Sequence, residues 1–138
     1  MTKKSGIAVW SILIVYCLAL FYFAVLGRDP ADKSIVWLDL FGGYTHPKYN
    51  SVSNGILNMC SFIPVGVMVG LIVNEYRIGK AMLAGLLLSV VIEFSQLIWK
   101  RGVFDVDDFF NGVVGALIGG LLVVCVMSIS KKAKMKRI

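Results

Sequence analysis

Four apolar stretches, each about as long as a helix that crosses a bilayer, fill most of this chain. They cover residues 7–26, 55–73, 81–99 and 109–129, with polar connections between them. A helix needs about 20 apolar residues to span the hydrocarbon. It also satisfies its own backbone N–H and C=O groups where no water can. The pattern therefore predicts an all-α fold: one small domain over 1–138, a four-helix transmembrane bundle. Only 16% of the residues are charged, against roughly a quarter in soluble domains. The first stretch follows Lys3 and Lys4, as a secretory leader would. Its apolar run is longer than a leader's and no small-residue cleavage site precedes Arg28, so it reads as a retained anchor.

The basic residues orient the bundle. Nine of them (Lys3, Lys4, Arg77, Lys80, Lys131, Lys132, Lys134, Lys136, Arg137) fall on one side, and five (Arg28, Lys33, Lys48, Lys100, Arg101) on the other. The positive-inside rule puts the first set, and with it both termini, in the cytoplasm. The basic tail, residues 130–138, then lies against anionic lipid headgroups. The formal net charge of +6 is thus a matter of topology. No aromatics interleave the basic tail, so nucleic-acid binding is not expected. In this orientation seven of the eight acids face outward or lie in the outer half of the membrane, and only Glu75 is cytoplasmic.

One polar stretch interrupts the apolar pattern. Glu93 and Gln96 lie inside the third run, and Arg101, Asp105, Asp107, Asp108 and Asn111 follow before the sequence turns apolar again. A carboxyl at membrane depth is costly and marks a functional site by default. Glu93 precedes Trp99 by six residues, about 9 Å of helix, and shares a face with Ser89 and Gln96. Arg28 and Arg101 are its expected partners, through a bidentate pair. Asn54 and Asn58, on one face of the second helix, are expected to complete the hydrogen bonds. A helix-clamping network uses the same kinds of group. Glu, Gln, Arg, three Asp and up to three Asn at one end exceed that need and point to an outward-facing ligand pocket. Asp108 is expected to cap the fourth helix. The acids lack the spacing of a recognised calcium loop, so no metal and no cofactor is expected.

Other features read as structure. In the outer loop, about 28–53, Trp37, Leu40, Phe41 and Tyr44 recur at i, i+3, i+4 and i+7. This predicts a short interfacial or re-entrant helix, capped by Ser34 and ended by Gly42-Gly43. His46 reads as a solvated loop residue. Cys17, Cys60 and Cys125 sit within apolar runs and form no disulfide framework. Pro64 should kink the second helix. Gly66 with Gly70, and Gly112 with Gly115 and Gly119, form small-residue stripes that permit close packing within one chain or between two copies.

In combination these motifs resemble a known family. Asn58–Gly66 reads N-x-x-x-F-x-P-x-G, Glu93–Gln96 reads E-x-x-Q, and an Arg, an aspartate-rich turn and a Gly-rich helix follow. With Arg28 at the end of the first helix, they resemble the VanZ-like family of small multipass bacterial membrane proteins. Its founding member is associated with low-level resistance to the glycopeptide teicoplanin. The resemblance implies the bacterial cell membrane and a cell-envelope role, and brings no settled biochemical activity. The chain departs from the pattern in two places. Trp37–Phe41 keeps only the ending of an Asn-Leu-x-Pro-Phe-like run. Gly112 fills the slot of a helix-four Asn, with Asn111 beside it. One residue is about 100° around a helix, which leaves the facing of Asn111 open.

These features fit functions of different classes. A non-enzymatic envelope protein would use Arg28, Asn54, Asn58, Glu93, Gln96, Arg101, Asp105, Asp107, Asp108 and Asn111 to bind an envelope lipid, a lipid-linked precursor or the lipoglycopeptide itself. A small membrane enzyme would use Glu93, Asp107 or Asp108 as general acid or base on a lipid-linked substrate, with Arg28 and Arg101 holding a phosphate or carboxylate. The polar set holds no Ser, Cys or His nucleophile constellation, which argues against covalent catalysis. A four-helix proton-coupled exporter needs a central acid, and Glu93 lies toward the outer end. A purely structural partner subunit is the remaining class. The residues favour the first.

Overall fold

The computed structural model describes residues 3–41 and 51–135. Four helices make the fold: α1, Lys3–Phe21; α2, Ser51–Ile72; α3, Arg77–Trp99; and α4, Val106–Met135. A π-helical turn, Tyr22–Leu26, continues α1. All four are long and apolar enough to cross a membrane, as the apolar runs predict. Their ends reach further than the apolar runs. α2 begins at Ser51 instead of residue 55, and α4 runs from Val106 to Met135 instead of 109–129. Its 30 residues make about 45 Å of helix, longer than a hydrocarbon core of about 30 Å. The surplus carries the exposed Lys131, Lys132 and Lys134.

The bundle is held by backbone approach more than by large side chains. α4 packs on both α2 and α3. A Cβ at Gly115 or Gly119 would collide with the carbonyls of Met59 or Ile63 on α2, and one at Gly66 with the carbonyl of Ala116. Gly85 on α3 faces Gly112 in the same way. Lipid tails are as apolar as leucine, so helices in a membrane gain little from burying apolar side chains. Close contact and Cα–H···O interactions take over that role. Within this chain, then, the glycine stripes serve intramolecular packing. α1 is peripheral. Leu13, Tyr16 and Cys17 pack on Val65 and Met68, and Val25 on Phe62 and Ile92, while Ile14, Val15 and Leu18 stay exposed. α2 remains one helix through Pro64. Near the proline, the Tyr16 hydroxyl donates to the Ser61 carbonyl at 2.9 Å.

The connection after α1 differs from the expected helix. Ile35–Trp37 form a strand, β1, paired in parallel with β2, Val103–Asp105; Ile35 lies opposite Val103, and Trp37 opposite Asp105. Ser34 does not cap a helix here. Its hydroxyl donates to the Leu97 carbonyl at 3.2 Å, and Ala31 N–H donates to the Lys100 carbonyl at 2.7 Å. Two β-branched residues and a Trp favour extended backbone, and a partner strand fixes it. A parallel pair requires a long crossover, which the α2–α3 hairpin supplies. The remainder of the expected helix, with Gly42, Gly43 and Tyr44, lies outside the described residues, as does His46. Lipid-exposed sheet edges do not occur in hydrocarbon, and both strands lie outside the four candidate spans. Cys17, Cys60 and Cys125 are free, the last two exposed.

Gly66→Ala and Gly115→Ala should each destabilise the bundle by about 1–3 kcal/mol through overpacking. Gly79, also helical, meets nothing within 4 Å of its Cβ position, and Gly79→Ala should gain up to about 1 kcal/mol of helix propensity. Reversible unfolding in detergent measures both.

Candidate functional site

The site begins where α1 ends. In the π-helical turn, Gly27 N–H reaches back to the Tyr22 carbonyl at 2.7 Å, and the later carbonyls find partners elsewhere. Gln96 Nε2 donates to the Ala24 carbonyl at 3.2 Å. Arg101 Nη1 donates to the carbonyls of Leu26 and Arg28 at 2.6 and 3.0 Å. These are the orphan carbonyls of a helix C-terminus, where positive charge is favourable. Arg101 therefore caps α1, and the expected Arg101–Glu93 pair does not form. The cause is local. α3 ends at Trp99 and is capped by Lys100 in the left-handed conformation (φ 53°), with Arg101 N–H bonded to the Gln96 carbonyl at 3.0 Å. The turn sets the guanidinium on the end of α1. Arg28 does not pair with Glu93 either; it lies exposed beside Gly102. There a Cβ would sit 2.8 Å from Gln96 Oε1 and 3.0 Å from Arg28 Nη1. Gly102 also has φ +131°, which side chains rarely tolerate.

Glu93 lies below this cap, 1% exposed. Its Oε2 accepts the Asp105 N–H at 2.8 Å, and the Asp108 carboxyl is a second polar neighbour within hydrogen-bonding range. Asp105 Oδ1 accepts the Asp107 N–H at 2.9 Å. Asp105 is thus the N-cap of α4. Asp108, expected in that role, falls inside the first turn because the helix already starts at Val106. Asp107 Oδ1 accepts the Phe41 N–H at 2.7 Å, where Phe41 holds φ 65°. Asn111 Nδ2 donates to Asp108 Oδ1 at 3.5 Å. Asn111 is buried, so its position one residue from the family's slot has not turned it away from the acids. Asn54 is exposed and Asn58 half-buried, and among the described residues neither joins this network.

The resulting corner between α3, β2 and α4 is rich in acceptors. It holds four carboxyls, those of Glu93, Asp105, Asp107 and Asp108, and among the described residues no Lys or Arg pairs with any of them. Nor do three or more His, Cys, Asp or Glu side chains among them form a group suited to a metal ion. Among the described residues, two buried acceptors have no partner: Gln96 Oε1 and Asp107 Oδ2. Edge-to-face pairs of Phe94 with Phe104, Phe104 with Phe109, and Phe41 with Phe110 frame the corner. Burial pushes the Asp105 carboxyl up to about 6, against the pull of the Asp107 N–H and with the nearby charges of Asp108 and Asp107 adding to the rise. Sequence reasoning missed Phe41 and Gly102. Only a glycine just past a helix end marked the second, and nothing marked a backbone N–H from the loop.

Membrane-length helices around a buried polar corner define a small multipass membrane protein. A family model described as VanZ/LLP1 matches residues 9–128, and the chain belongs to that family. No curated protein and no solved structure matches it.

Because the Asp105 carboxyl rises in the folded state from its ordinary 3.8 to about 6, the folded protein holds this proton more tightly than the unfolded chain. Its contribution to stability is complete below about pH 4 and is lost as pH rises towards and through 6. Asp105→Asn keeps a capping oxygen and should flatten that slope. Detergent unfolding of both proteins from pH 4 to 7 measures the difference.

Proposed function

We propose that this chain is a bacterial cell-envelope protein whose acidic corner faces outward and binds an envelope ligand: a lipid, a lipid-linked precursor or a lipoglycopeptide such as teicoplanin. Binding there alters access of the drug to the envelope without chemical turnover. One observation carries the reading: among the described residues, buried Gln96 Oε1 and Asp107 Oδ2 have no partner. A network that served only to clamp helices would close its own hydrogen bonds, since an unsatisfied buried acceptor costs about 1–3 kcal/mol.

Charge supports the orientation. Arg77 and Lys80 at the start of α3, and Lys131, Lys132 and Lys134 at the end of α4, lie at the opposite end of the helices from Glu93. The positive-inside rule puts that basic end, with both termini, in the cytoplasm. Membership of the VanZ/LLP1 family supports the envelope context.

The test is teicoplanin susceptibility of a sensitive Gram-positive host expressing wild type, Glu93→Gln or Asp107→Asn at matched membrane abundance. Wild type should protect and both variants should lose most of that protection. Equal protection by all three would make the corner a structural clamp. No protection by wild type would remove drug resistance from this reading.

A further inference from the structure

We infer that the basic end of the bundle holds the phosphate of an anionic phospholipid, in a recess between the start of α3 and the side of α4. This site lies at the opposite end of the helices from Glu93 and does not depend on the reading of the acidic corner.

The recess holds about 420 Å³ and is lined by Asn74, Tyr76, Arg77, Ile78, Gly79 and Val124. Helix packing makes it. α4 meets the start of α3 at Gly120, where a Cβ would sit 3.1 Å from the Ala81 Cβ and 3.4 Å from the Ile78 Cα. One turn on, Val124 is half-buried, and from Cys125 to Met135 every residue of α4 is exposed. α4 thus runs on past the α2–α3 turn. It stays largely apolar as far as Ile129; Val126 and Ile129 are 65% and 68% exposed. A membrane-length helix keeps such residues in hydrocarbon, and the first charge beyond them is Lys131. Lys131 follows Val124 by seven residues, two turns along the same face and about 10 Å. Arg77 and the turn therefore lie deeper than the lysines, and the recess opens at lipid depth.

Arg77 lacks a counter-charge there. Its Nη1 donates to the Gly70 carbonyl and its Nη2 to Asn74 Oδ1 at 3.4 Å. Both acceptors are neutral, and among the described residues no carboxyl pairs with it. A guanidinium has five N–H donors, so most of them stay available. Glu75 is the only Asp or Glu at this end of the helices, against Arg77, Lys80, Lys131, Lys132 and Lys134, and it does not line the recess. A charge at membrane depth is held by a partner, and a guanidinium takes a phosphate through two parallel N–H bonds. Basic pockets between membrane helices hold lipid headgroups in this way. Gly79 leaves the room, since its Cβ position meets nothing within 4 Å. The excess of cations favours a headgroup with net negative charge over a zwitterion. The exposed apolar flank of α4 beside the recess suits acyl chains, which a soluble anion does not have.

The test is native mass spectrometry of the full chain in detergent, comparing retention of phosphatidylglycerol with phosphatidylcholine. Wild type should prefer phosphatidylglycerol by at least about fivefold, the worth of one basic residue at an anionic surface. Gly79→Phe fills the recess and changes no charge. Arg77→Gln removes the charge and keeps a donor for the Gly70 carbonyl. Both should lose most of the preference. Lys134→Gln removes a charge from the same end, about 80° round the helix from Val124, and should keep it. Circular dichroism confirms folding, and Gly79→Phe carries the test if Arg77→Gln does not fold. Equal retention of the two lipids by wild type overturns the inference. A preference that survives in Gly79→Phe, or falls as far in Lys134→Gln, makes the attraction a diffuse property of the basic end and also overturns it. So does a dimer that Gly79→Phe abolishes without a lipid preference, which would seat a second copy in the recess.

Discussion

The close approach of α4 to α2 is the contact on which the rest of this protein depends. Gly115 and Gly119 meet the carbonyls of Met59 and Ile63, and Gly66 meets that of Ala116. Van der Waals attraction between two backbones needs such proximity, and in lipid it has no hydrophobic term behind it. With Gly85 against Gly112, the same helix is fixed to α3. The N-terminus of α4 therefore arrives beside Glu93, and four carboxyls share one corner. A larger residue in either stripe would move that corner before it touched any acid.

The polar groups divide into two kinds of work. Gln96 Nε2 and Arg101 terminate α1, whose π-helical turn leaves carbonyls to be satisfied from outside. A π-turn often marks a functional region; here it brings the α1 end within reach of α3. Arg77 does for α2 what Arg101 does for α1, since its guanidinium donates to the Gly70 carbonyl. The acids of the corner form the second kind. They are linked through backbone N–H groups, and among the described residues no arginine pairs with them.

Much of the architecture was legible in the sequence. Glycines at 66, 112, 115 and 119 announced close packing, and Glu93 with Gln96 announced the buried polar face. The acid-rich turn Asp105–Asp108 was visible as a helix start, although the cap fell on Asp105 because α4 begins three residues earlier than its apolar run. The partners of Arg101 were not legible. A guanidinium beside a buried carboxyl and one beside a helix C-terminus look alike in sequence, and the left-handed turn at Lys100 decides between them. The spacing of Trp37, Leu40 and Phe41 fits a helix as well as a loop, and β1 exists only because Val103–Asp105 lies alongside.

By itself, the sequence determined the number and length of the spans, the face that carries Glu93, and the stripes on which helices pack. These follow from hydrocarbon thickness and helical period, which act on each segment alone. The tertiary structure decided which donor meets which acceptor. It gave Arg101 to the end of α1, the Asp105 N–H to Glu93 and the Phe41 N–H to Asp107, and among the described residues it left Gln96 Oε1 and Asp107 Oδ2 unpartnered. Those outcomes depend on contacts between residues far apart in the chain, where a turn of one residue redirects a side chain, and no local pattern encodes them.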